Sequence, residues 1–407
     1  MKTKITVIDS IMGSGKTSFA INKMNTDKEN NYIYITPYLT EVQRIKESCS
    51  ERKFIDPKNL GQGKLNSLHD LILKNKNITS THALFKMSTE TTKELLKANN
   101  YILILDEVMN VVEQVPLKKD DLSVLLKSDL IIIQDNGLVQ WNEDKKNFES
   151  KYDDIKIMCK SNSVFLVNNS LFMWTFPIDI FNAFKEVYIL TYLFNGQIQR
   201  YYYDLYNVKH EYKSVKKVSN DYVLCDYIEQ YSMNEIKNNI YLIEEDKINN
   251  IGENEFALSK TWFEKSDDDL LKQLKKNIAN FYRNKLNGVN SKSKDNMWTT
   301  FKDYKSKLSG SGYTKGFVSL GTRATNDYAD KSALAYCSNT FLNPMVKQFF
   351  HMHDVEVNEN MYALSELIQW IWRSRIRQGQ PIDLYIPSRR MRDLFINWLY
   401  NYDFQNS

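Results

Sequence analysis

The stretch Ser10–Thr17, Ser-Ile-Met-Gly-Ser-Gly-Lys-Thr, has the residue types and spacing of a phosphate-binding loop. It follows an apolar stretch that is predicted to form a strand, and it precedes a predicted helix. Gly13 and Gly15 let the backbone curl so that successive N–H groups point inward, where the positive end of the helix also faces. We expect Lys16 to reach the β- and γ-phosphates of a nucleoside triphosphate and the Thr17 hydroxyl to ligate Mg²⁺. The residues predicted to bind the nucleotide are Gly13, Ser14, Gly15, Lys16 and Thr17.

One position of this loop departs from the full pattern, which has glycine where the chain has Ser10. Serine is small, and the loop tolerates it. The alternative is a glycine-rich turn between strand and helix that binds nothing. The Lys-Thr pair in register after an apolar strand favours the phosphate site.

The acidic pair Asp106-Glu107 comes directly after the continuous apolar stretch Tyr101–Leu105. Such a stretch predicts a strand that is covered on both faces. A carboxylate at the carboxyl end of a neighbouring strand is where a phosphate-binding-loop enzyme holds its metal. We therefore predict that Asp106 holds Mg²⁺ and that Glu107 is the general base for the attacking water. The alternative is a solvated acidic pair that ends a strand.

A basic segment lies near the end of the chain, at Gln369–Arg377. On a helix, Gln369, Arg373 and Arg377 recur every four residues and share one face, whereas Arg375 lies off that face. Two arginines and a glutamine suit the γ-phosphate and the charge that develops on its transfer. The alternative is a solvated basic face or a contact to a nucleic-acid backbone.

Composition sets wide limits on the rest. The chain has 407 residues, of which 42% are hydrophobic and 26% charged, so it can bury a core in two or three domains. A net charge of +4 permits a polyanionic partner without requiring one. The sequence contains no apolar run near the roughly 20 residues of a membrane helix, and we expect neither a membrane partner nor a signal peptide. Four scattered cysteines predict reduced thiols and a cytoplasmic location, in a bacterial host cytosol.

Apolar strands alternate with amphipathic helices, which predicts an α/β fold with mainly parallel sheets. A hairpin insertion is predicted near 131–141, with its turn at Asn136-Gly137. The second half is predicted to begin near residue 196. Its predicted elements include strands at Tyr201–Tyr206, Ile240–Ile243, Phe256–Ser259, Gly316–Leu320 and Ile382–Ile386, and helices at Asp267–Leu286 and Leu364–Arg377.

The order of these motifs resembles that of superfamily 2 (DEAD/DEAH-like) helicases over residues 4–390, most closely the compact helicase-type proteins of phages of low-GC Gram-positive bacteria. The segments that match the helicase motifs are Ser10–Thr17 (motif I), Thr36-Pro37 (Ia), Thr79–His82 (Ib), Asp106–Met109 (II), Leu190–Tyr192 (III), Gly321–Asn326 (V) and Gln369–Arg377 (VI). Few residues precede the first predicted strand, so we expect the adenine-reading glutamine motif of DEAD-box RNA helicases to be absent, and the second motif ends in Val108-Met109. These two departures favour a DNA-directed enzyme.

The resemblance implies two tandem RecA-like domains with an ATP cleft between them. Residues 1–195 would carry motifs I–III, and residues 196–407 motifs IV–VI, including Arg373 and Arg377. It further implies that hydroxyl side chains contact the phosphates of single-stranded DNA. The candidates for this contact are Thr36, Thr81, Thr322 and Thr325. Each of them could instead be a helix N-cap.

The function implied is an ATP-dependent DNA helicase or translocase that uses ATP and Mg²⁺ on single-stranded or forked DNA, in phage or mobile-element replication or recombination. Protein partners such as replication factors are compatible with this role. Three alternatives stay open: a remodelling or origin-binding ATPase that does not unwind DNA, a P-loop kinase, and a packaging motor. The length of chain beyond Asp106-Glu107 argues against a kinase.

Overall fold

The computed structural model describes residues 3–59, 61, 63–149, 151–228, 233–286, 292–321 and 327–400. Internal contacts divide the chain into two units. Unit 1 consists of Met1–Ser10, Ser14–Tyr227 and Leu342–Val357, and unit 2 consists of Ile11–Gly13, Ile228–Phe341 and Asn358–Ser407.

The strands are β1 (Lys4–Asp9), β2 (Tyr32–Thr36), β3 (Ile78–Thr81), β4 (Ile102–Asp106), β5 (Val112–Gln114), β6 (Ile131–Ile133), β7 (Val139–Trp141), β8 (Val164–Val167), β9 (Leu171–Thr175), β10 (Glu186–Thr191), β11 (Glu211–Val218), β12 (Asp221–Asp226), β13 (Ile240–Leu242), β14 (Asn296–Thr299), β15 (Ala333–Tyr336) and β16 (Ile382–Tyr385).

The helices are α1 (Lys16–Thr26), α2 (Leu39–Ser48), α3 (Lys64–Leu73), α4 (His82–Phe85), α5 (Glu90–Asn99), α6 (Lys119–Lys127), α7 (Asp153–Lys160), α8 (Ile178–Phe181), α9 (Ile198–Leu205), α10 (Asn234–Lys237), α11 (Asp246–Asn249), α12 (Lys260–Lys265), α13 (Asp268–Asn284), α14 (Lys305–Leu308), α15 (Pro344–His351), α16 (Glu359–Ile371) and α17 (Arg389–Tyr400).

The main sheet of unit 1 has the strand order β12-β11-β1-β10-β4-β2-β3. All neighbours pair in parallel except β11 and β12, which form an antiparallel hairpin at one edge. The residues of β2 and β4 are buried without exception, as expected for parallel strands that helices cover on both faces. The carboxyl ends of β1, β10, β4 and β2 therefore meet at one edge of the sheet.

Helix α1 packs on this sheet through Ala20 and Met24, which lie four residues apart on one face. Both side chains belong to a buried cluster that includes Ile8 of β1 and Ile104 of β4. This packing fixes the direction of α1, and its first turn starts where β1 ends. The loop between them is thereby held at the carboxyl edge of the sheet.

A smaller subdomain is inserted between β4 and β10. It contains the antiparallel sheet β5-β9-β8 and the hairpin β6–β7, and it has a hydrophobic cluster of its own. The predicted hairpin is confirmed: Ile131 pairs with Trp141, and the turn contains Gly137 at φ +80°. Leu342–Val357 also belongs to unit 1, where Phe349 of α15 packs on Phe165 of β8 with ring centroids 5.4 Å apart.

Unit 2 contains a parallel sheet with the order β13-β16-β15-β14. The predicted long helix is present as α13, and its buried side chains include Leu274, Ile278 and Phe281. The prediction of an α/β fold with mainly parallel sheets is confirmed in both units. Within the described ranges, none of the helices combines the length and the apolar character of a membrane-spanning segment.

Three predicted strands are wrong. Tyr201–Tyr206 lies mostly in helix α9, where Tyr201, Tyr202 and Tyr203 are buried, because three consecutive apolar rings do not distinguish a buried helix from a buried strand. Phe256–Ser259 forms turns, and Gly316–Leu320 makes only an isolated bridge from Phe317 to Trp298.

The division of the chain also differs from the predicted boundary between residues 195 and 196. Unit 1 continues to Tyr227 because α9 and the β11–β12 hairpin extend its sheet and its core. Strand β11 pairs in parallel with β1, with Val7 opposite Tyr212. The sequence after residue 196 therefore completes the first unit before the second one starts.

Candidate active site

The loop between β1 and α1 has the backbone conformation of an anion-binding turn. Gly13 and Gly15 have φ values of +86° and +96°, which only glycine adopts readily. Gly15 is the N-cap of α1, and neither a side-chain cap nor an acidic residue in the first turn satisfies the helix start. The buried hydroxyl of Ser14 has no hydrogen-bond partner among the described residues. A phosphate group fits this set of unused donors.

Lys16 is the first residue of α1, and its ammonium group lies on the same loop. Its Nζ atom donates a hydrogen bond to the carbonyl oxygen of Ser10. The cation is thus held at the loop, and its contact with the β- and γ-phosphates stays a prediction. The predicted magnesium ligand Thr17 is the next residue of the helix and is partly exposed.

The departure at Ser10 has a structural reason. The Ser10 hydroxyl accepts a hydrogen bond from the backbone N–H of Val215 in β11 at 3.0 Å, and Ser10 is fully buried. Next to it, the Ser214 hydroxyl donates to the carbonyl oxygen of Asp9 at 3.1 Å. On the other side, the Ser10 N–H donates to the carbonyl oxygen of Thr191 in β10 at 3.0 Å. Ser10 therefore ties the start of the loop to the strands on each side of β1.

Tyr222 of β12 covers the end of the loop. A Cβ atom added at Gly15 would lie 2.0 Å from Cε1 of the Tyr222 ring. Glycine is thus required at position 15 for two reasons, its backbone conformation and the ring that packs on its Cα atom. The β11–β12 hairpin braces the loop at its start, through Ser10, and at its end.

The predicted acidic pair lies at the carboxyl edge of the same sheet. Asp106 is the last residue of β4 and is 9% exposed. Glu107 has a φ of +70°, which is rare for a residue with a Cβ atom, and its N–H donates to the carbonyl oxygen of Leu190 at 3.0 Å. A strained backbone of this kind persists only where the surrounding structure holds it, and such residues cluster at functional sites.

The surroundings of Asp106 favour its neutral form in the absence of a cation. Burial raises the pKa of the Asp106 carboxyl to about 7, and the nearby Glu107 acts in the same direction. The Tyr34 hydroxyl opposes this shift. A buried carboxylate of this kind is a fitting ligand for a divalent cation, whose charge would favour the ionised form.

A second carboxylate, Asp9, lies at the end of β1 and was not predicted to take part. Its two oxygens accept hydrogen bonds from the N–H groups of Leu193 at 2.9 Å and Phe194 at 3.0 Å. Burial raises the pKa of Asp9 to about 6, and these two bonds together with the charge of Lys16 oppose the shift. Leu193 has a φ of +56°, so the loop after β10 is held at the end of β1 in a strained conformation.

One glutamine fastens this loop internally, and a second joins the segment after it to the loop that follows β4. Gln197 accepts a hydrogen bond from the Thr191 hydroxyl at 2.9 Å and donates to the carbonyl oxygen of Tyr192 at 2.9 Å. Gln199 of α9 accepts from the N–H of Met109 at 3.1 Å, two residues beyond Glu107. A chain of buried polar contacts therefore connects the loops that follow β1, β10 and β4.

The late basic segment does not form the predicted helical face. Helix α16 ends at Ile371, so it includes Gln369 but neither Arg373 nor Arg377. Ser374 has an extended backbone, with ψ at −177°, and its hydroxyl donates to the carbonyl oxygen of Ile371 at 2.7 Å, which ends the helical run.

The arginines of this segment have different surroundings. Arg373 is buried and Arg377 is exposed, in a 3₁₀ turn over Arg375–Gln378. Arg375 donates from Nε to the carbonyl oxygen of Pro381, which lies three residues beyond this turn. The roles of Gln369, Arg373 and Arg377 toward a nucleotide stay predictions.

The threonines predicted to contact nucleic acid also stay predictions. Thr36 is the last residue of β2, and its buried hydroxyl has no hydrogen-bond partner among the described residues. Thr81 is the N-cap of α4, yet its side chain makes no capping hydrogen bond, so the alternative role is not realised. Thr322 and Thr325 lie outside the described residues.

The comparison with known proteins identifies a close relative. The chain is 47% identical over 411 aligned residues to the "SPbeta prophage-derived uncharacterized protein YonV" of Bacillus subtilis (strain 168), and the alignment covers 98% of this chain and 99% of that protein. The chain belongs to the YonV family. Residues 112–174 match the YonV middle domain, and residues 234–399 match the YonV C-terminal Rossmann-like domain. The match to the middle domain falls in the inserted subdomain, and the match to the C-terminal domain covers most of unit 2 together with Leu342–Val357 of unit 1.

Solved structures also align with this YonV-family chain along most of its length. "XPD_Helicase" has a TM-score of 0.49 and 11% identity, and the alignment covers 98% of this chain and 94% of that one. "Structure of S. tokodaii Xpd4" has a TM-score of 0.48 and 10% identity, with 97% and 94% covered. "Crystal Structure of DUF1998 helicase MrfA bound to DNA" has a TM-score of 0.30 and 10% identity, with 98% and 46% covered.

Several residues of this YonV-family site escaped sequence reasoning. Asp9 carried a signal, since it is a charged residue at the end of a strand that is otherwise buried. Ser10 carried a weaker signal, because it replaces the glycine of the phosphate-binding pattern. Gln199 and Tyr222 carried none, because only the tertiary fold brings α9 and β12 to the loops.

Proposed function

We propose that this chain is an ATP-dependent DNA helicase or translocase of superfamily 2 type that acts in the replication or recombination of phage or mobile-element DNA. One observation carries the proposal. The uncapped start of α1 with Lys16 and the pair Asp106-Glu107 lie at the same edge of one parallel sheet. Glu107 is held there in a strained conformation, at a φ of +70°.

The strand order supports hydrolysis at this edge. β10 lies between β1 and β4, so the acidic pair is two strand spacings, or about 10 Å, from the end of β1. That separation leaves room for a phosphate group, a magnesium ion and a water molecule between the loop and the carboxylates. Glu107, one residue beyond Asp106, would then face the water.

ATP with Mg²⁺ supplies the reactive phosphate and an electrophilic metal when bound. In the proposed mechanism, Gly13, Ser14 and Gly15 donate backbone N–H groups to the phosphates, and Lys16 binds the β- and γ-oxygens. Thr17 and Asp106 hold the cation, and Glu107 accepts a proton from the attacking water. Gln369, Arg373 and Arg377 are proposed to stabilise the charge that develops on the γ-phosphate.

The DNA part of the proposal depends on the motif order and on the hydroxyl side chains at strand and loop ends. Thr36 lies at the carboxyl end of β2, which neighbours the strand that carries Asp106, and Thr81 lies at the carboxyl end of β3, on the far side of β2. Hydroxyls at such positions can bind phosphates without reading bases. The description of the relative as prophage-derived is consistent with a role in mobile DNA.

The proposal is tested by the ATP hydrolysis rate of the purified full chain with single-stranded DNA, duplex DNA, RNA or no nucleic acid. We expect stimulation by single-stranded DNA, and displacement of a labelled strand from a forked duplex. Stimulation without displacement would instead indicate the remodelling ATPase. Hydrolysis unaffected by any nucleic acid would contradict a helicase and favour phosphoryl transfer to a small acceptor.

A variant pair assigns the activity to this site. We expect Lys16→Ala to abolish hydrolysis, because the phosphates then lose their cation. Lys28→Ala is the matched control, since Lys28 lies beyond the end of α1 with a side chain that is 60% exposed. Retained hydrolysis in Lys16→Ala would contradict the assignment of the phosphate-binding loop.

A further inference from the structure

Unit 2 holds a stack of three planar side chains that the proposed active site does not use. The guanidinium carbon of Arg390 lies 4.1 Å from the centroid of the Phe341 ring. Phe341 in turn stacks with Phe256, with centroids 5.9 Å apart and an interplanar angle of 27°. Phe256 is 58% exposed, which is high for a phenylalanine ring that stacks on another ring.

Arg390 is fixed by neutral acceptors. It donates from Nε and Nη2 to Oδ1 of Asn360 at 3.2 and 2.9 Å, and from Nη1 to Oδ1 of Asn339 at 2.9 Å and to the carbonyl oxygen of Thr340 at 3.0 Å. Within the described ranges, no carboxylate lies within ion-pair distance of it. The guanidinium group therefore makes a cation–π interaction with the Phe341 ring that it covers.

The exposed ring of Phe256 is held by a built scaffold. The fully buried side chain of Asn339 donates from Nδ2 to the carbonyl oxygens of Glu255 at 2.7 Å and Ala257 at 3.0 Å, the two residues that flank Phe256. The N–H of Phe256 donates to Oδ1 of Asn254 at 2.9 Å, and Leu258 has a φ of +61°. One amide thus locks the loop that presents Phe256 and also accepts from Arg390. A surface ring without a role needs no such support.

The stack lies at the carboxyl edge of the sheet of unit 2. Phe341 follows β15, Arg390 follows β16, and these two strands are neighbours in the sheet. In parallel α/β sheets, ligands bind outside the carboxyl ends of the strands. The position is therefore one where a bound chain would pass.

We propose that the Phe256 ring is a stacking platform for a base of single-stranded DNA. This inference rests on the proposed function, because it assigns a base contact to the nucleic acid that the chain is proposed to bind. A rigid aromatic face stacks on any base, since every base has a flat π surface. The exposed carboxylate of Glu255, the residue before Phe256, disfavours a phosphate on this side, so the occupant presents its base rather than its backbone.

The test measures the affinity of the full chain for a fluorescent thymidine 20-mer and for the same strand with abasic positions. We expect Phe256→Ala to weaken binding of the thymidine strand by about 5- to 150-fold, the range for one stacked base. We expect Phe256→Trp to retain the affinity and Phe256→Leu to lose it, because leucine keeps apolar bulk without a flat ring. On the abasic strand, Phe256→Ala and the wild-type chain should bind alike.

Two further measurements separate stacking from other effects. The slope of log affinity against log salt concentration should be the same in Phe256→Ala and wild type, because no phosphate contact is removed. Phe148→Ala is the matched control, since Phe148 of unit 1 is 47% exposed. It should bind the thymidine strand as the wild-type chain does.

Each outcome decides the proposal. Unchanged binding in Phe256→Ala, or an equal loss on the abasic strand, would overturn the stacking role while leaving the proposed function intact. A wild-type chain that binds no strand and whose ATP hydrolysis no DNA stimulates would overturn the proposed function and the platform together. Thermal unfolding of Phe256→Leu at the wild-type temperature would exclude misfolding as the cause of its weaker binding.

Discussion

Asp9 and Leu193 are 184 positions apart, yet Oδ1 of Asp9 accepts a hydrogen bond from the N–H of Leu193 at 2.9 Å. The contact joins the last residue of β1 to the loop that follows β10. Leu193 adopts a strained left-handed backbone in this position, with a φ of +56°. Any change in the phosphate-binding loop that moves Asp9 is thereby transmitted to the neighbouring loop.

This relationship predicts a pH dependence of stability. Burial raises the pKa of Asp9 from 3.8 to about 6, so between these values the folded chain binds more protons at this site than the unfolded chain. Stability then falls as the pH rises through this interval, by about 3 kcal/mol for the whole shift. The charged groups that face Asp9 are Lys16, and Tyr212 at high pH.

The measurement is urea unfolding of the wild-type chain and Asp9→Asn between pH 4 and 7. We expect the wild-type free energy of unfolding, relative to that of Asp9→Asn, to decrease as the pH rises. The asparagine variant should lack this decrease because it does not titrate. Parallel curves for the two proteins would show that Asp9 does not titrate in this range.

Restoring the glycine of the phosphate-binding pattern is predicted to destabilise this chain. Ser10→Gly leaves the N–H of Val215 without its acceptor, at about 1–3 kcal/mol for a buried donor. The added backbone freedom costs roughly a further 0.5–1 kcal/mol. Denaturant unfolding measures the total loss of stability. Ser10→Ala should lose only the stability that the hydrogen bond to Val215 contributes, because alanine adds no backbone freedom. A Ser10→Gly variant as stable as wild type would contradict the role of the hydroxyl.

The ring of Tyr222 predicts a cost at Gly15 beyond backbone strain. Gly15→Ala must place a Cβ atom 2.0 Å from the ring, at a φ of +96°. We expect about 1–2 kcal/mol from the conformation and about 1–3 kcal/mol from overpacking. Gly379→Ala is the matched control, because Gly379 has a φ of +71° and open space around its Cα.

A double-mutant cycle isolates the contribution of the ring. In a Tyr222→Ala background, Gly15→Ala should lose the overpacking cost and match the cost of Gly379→Ala. If the cost of Gly15→Ala is the same with and without Tyr222, the ring does not constrain the loop.

The sequence predicted what depends on local pattern. Strands β1 and β4 were predicted from their apolar residues, and the glycine-rich loop and the acidic pair follow them directly, as expected. The late helix was misjudged because its four-residue spacing continues through Arg377, whereas Ser374 ends the helical run by bonding to Ile371. Tyr201–Tyr203 was misjudged because buried aromatic runs suit strands and buried helices alike.

Long-range contacts could not be predicted from one sequence. The bond from Val215 to Ser10 spans 205 positions and depends on β11 pairing with β1. The hydrogen bond from Met109 to Gln199 spans 90 positions and likewise depends on the tertiary fold. No local periodicity encodes which strand lies beside which, so the polar network around the loop emerged only from the fold.

Glu107 is predicted to be needed for hydrolysis and costly for stability. Glu107→Gln should leave ATP binding nearly intact while hydrolysis falls by a factor of about 10² or more, the scale for losing a general base. Glu107→Gly should lose hydrolysis as well, yet raise the free energy of unfolding by about 1 kcal/mol, because glycine adopts a φ of +70° without strain.

Nucleotide affinity, turnover and denaturant unfolding of the same variants distinguish these effects. Glu90→Gln is the matched control, since the Glu90 side chain is 72% exposed on α5, and it should retain wild-type turnover. If Glu107→Gln loses ATP binding along with hydrolysis, the residue supports the loop instead of acting on the water. If Glu107→Gly is less stable than wild type, the left-handed conformation is stabilised by the glutamate side chain, and the strain at this position does not reflect catalysis.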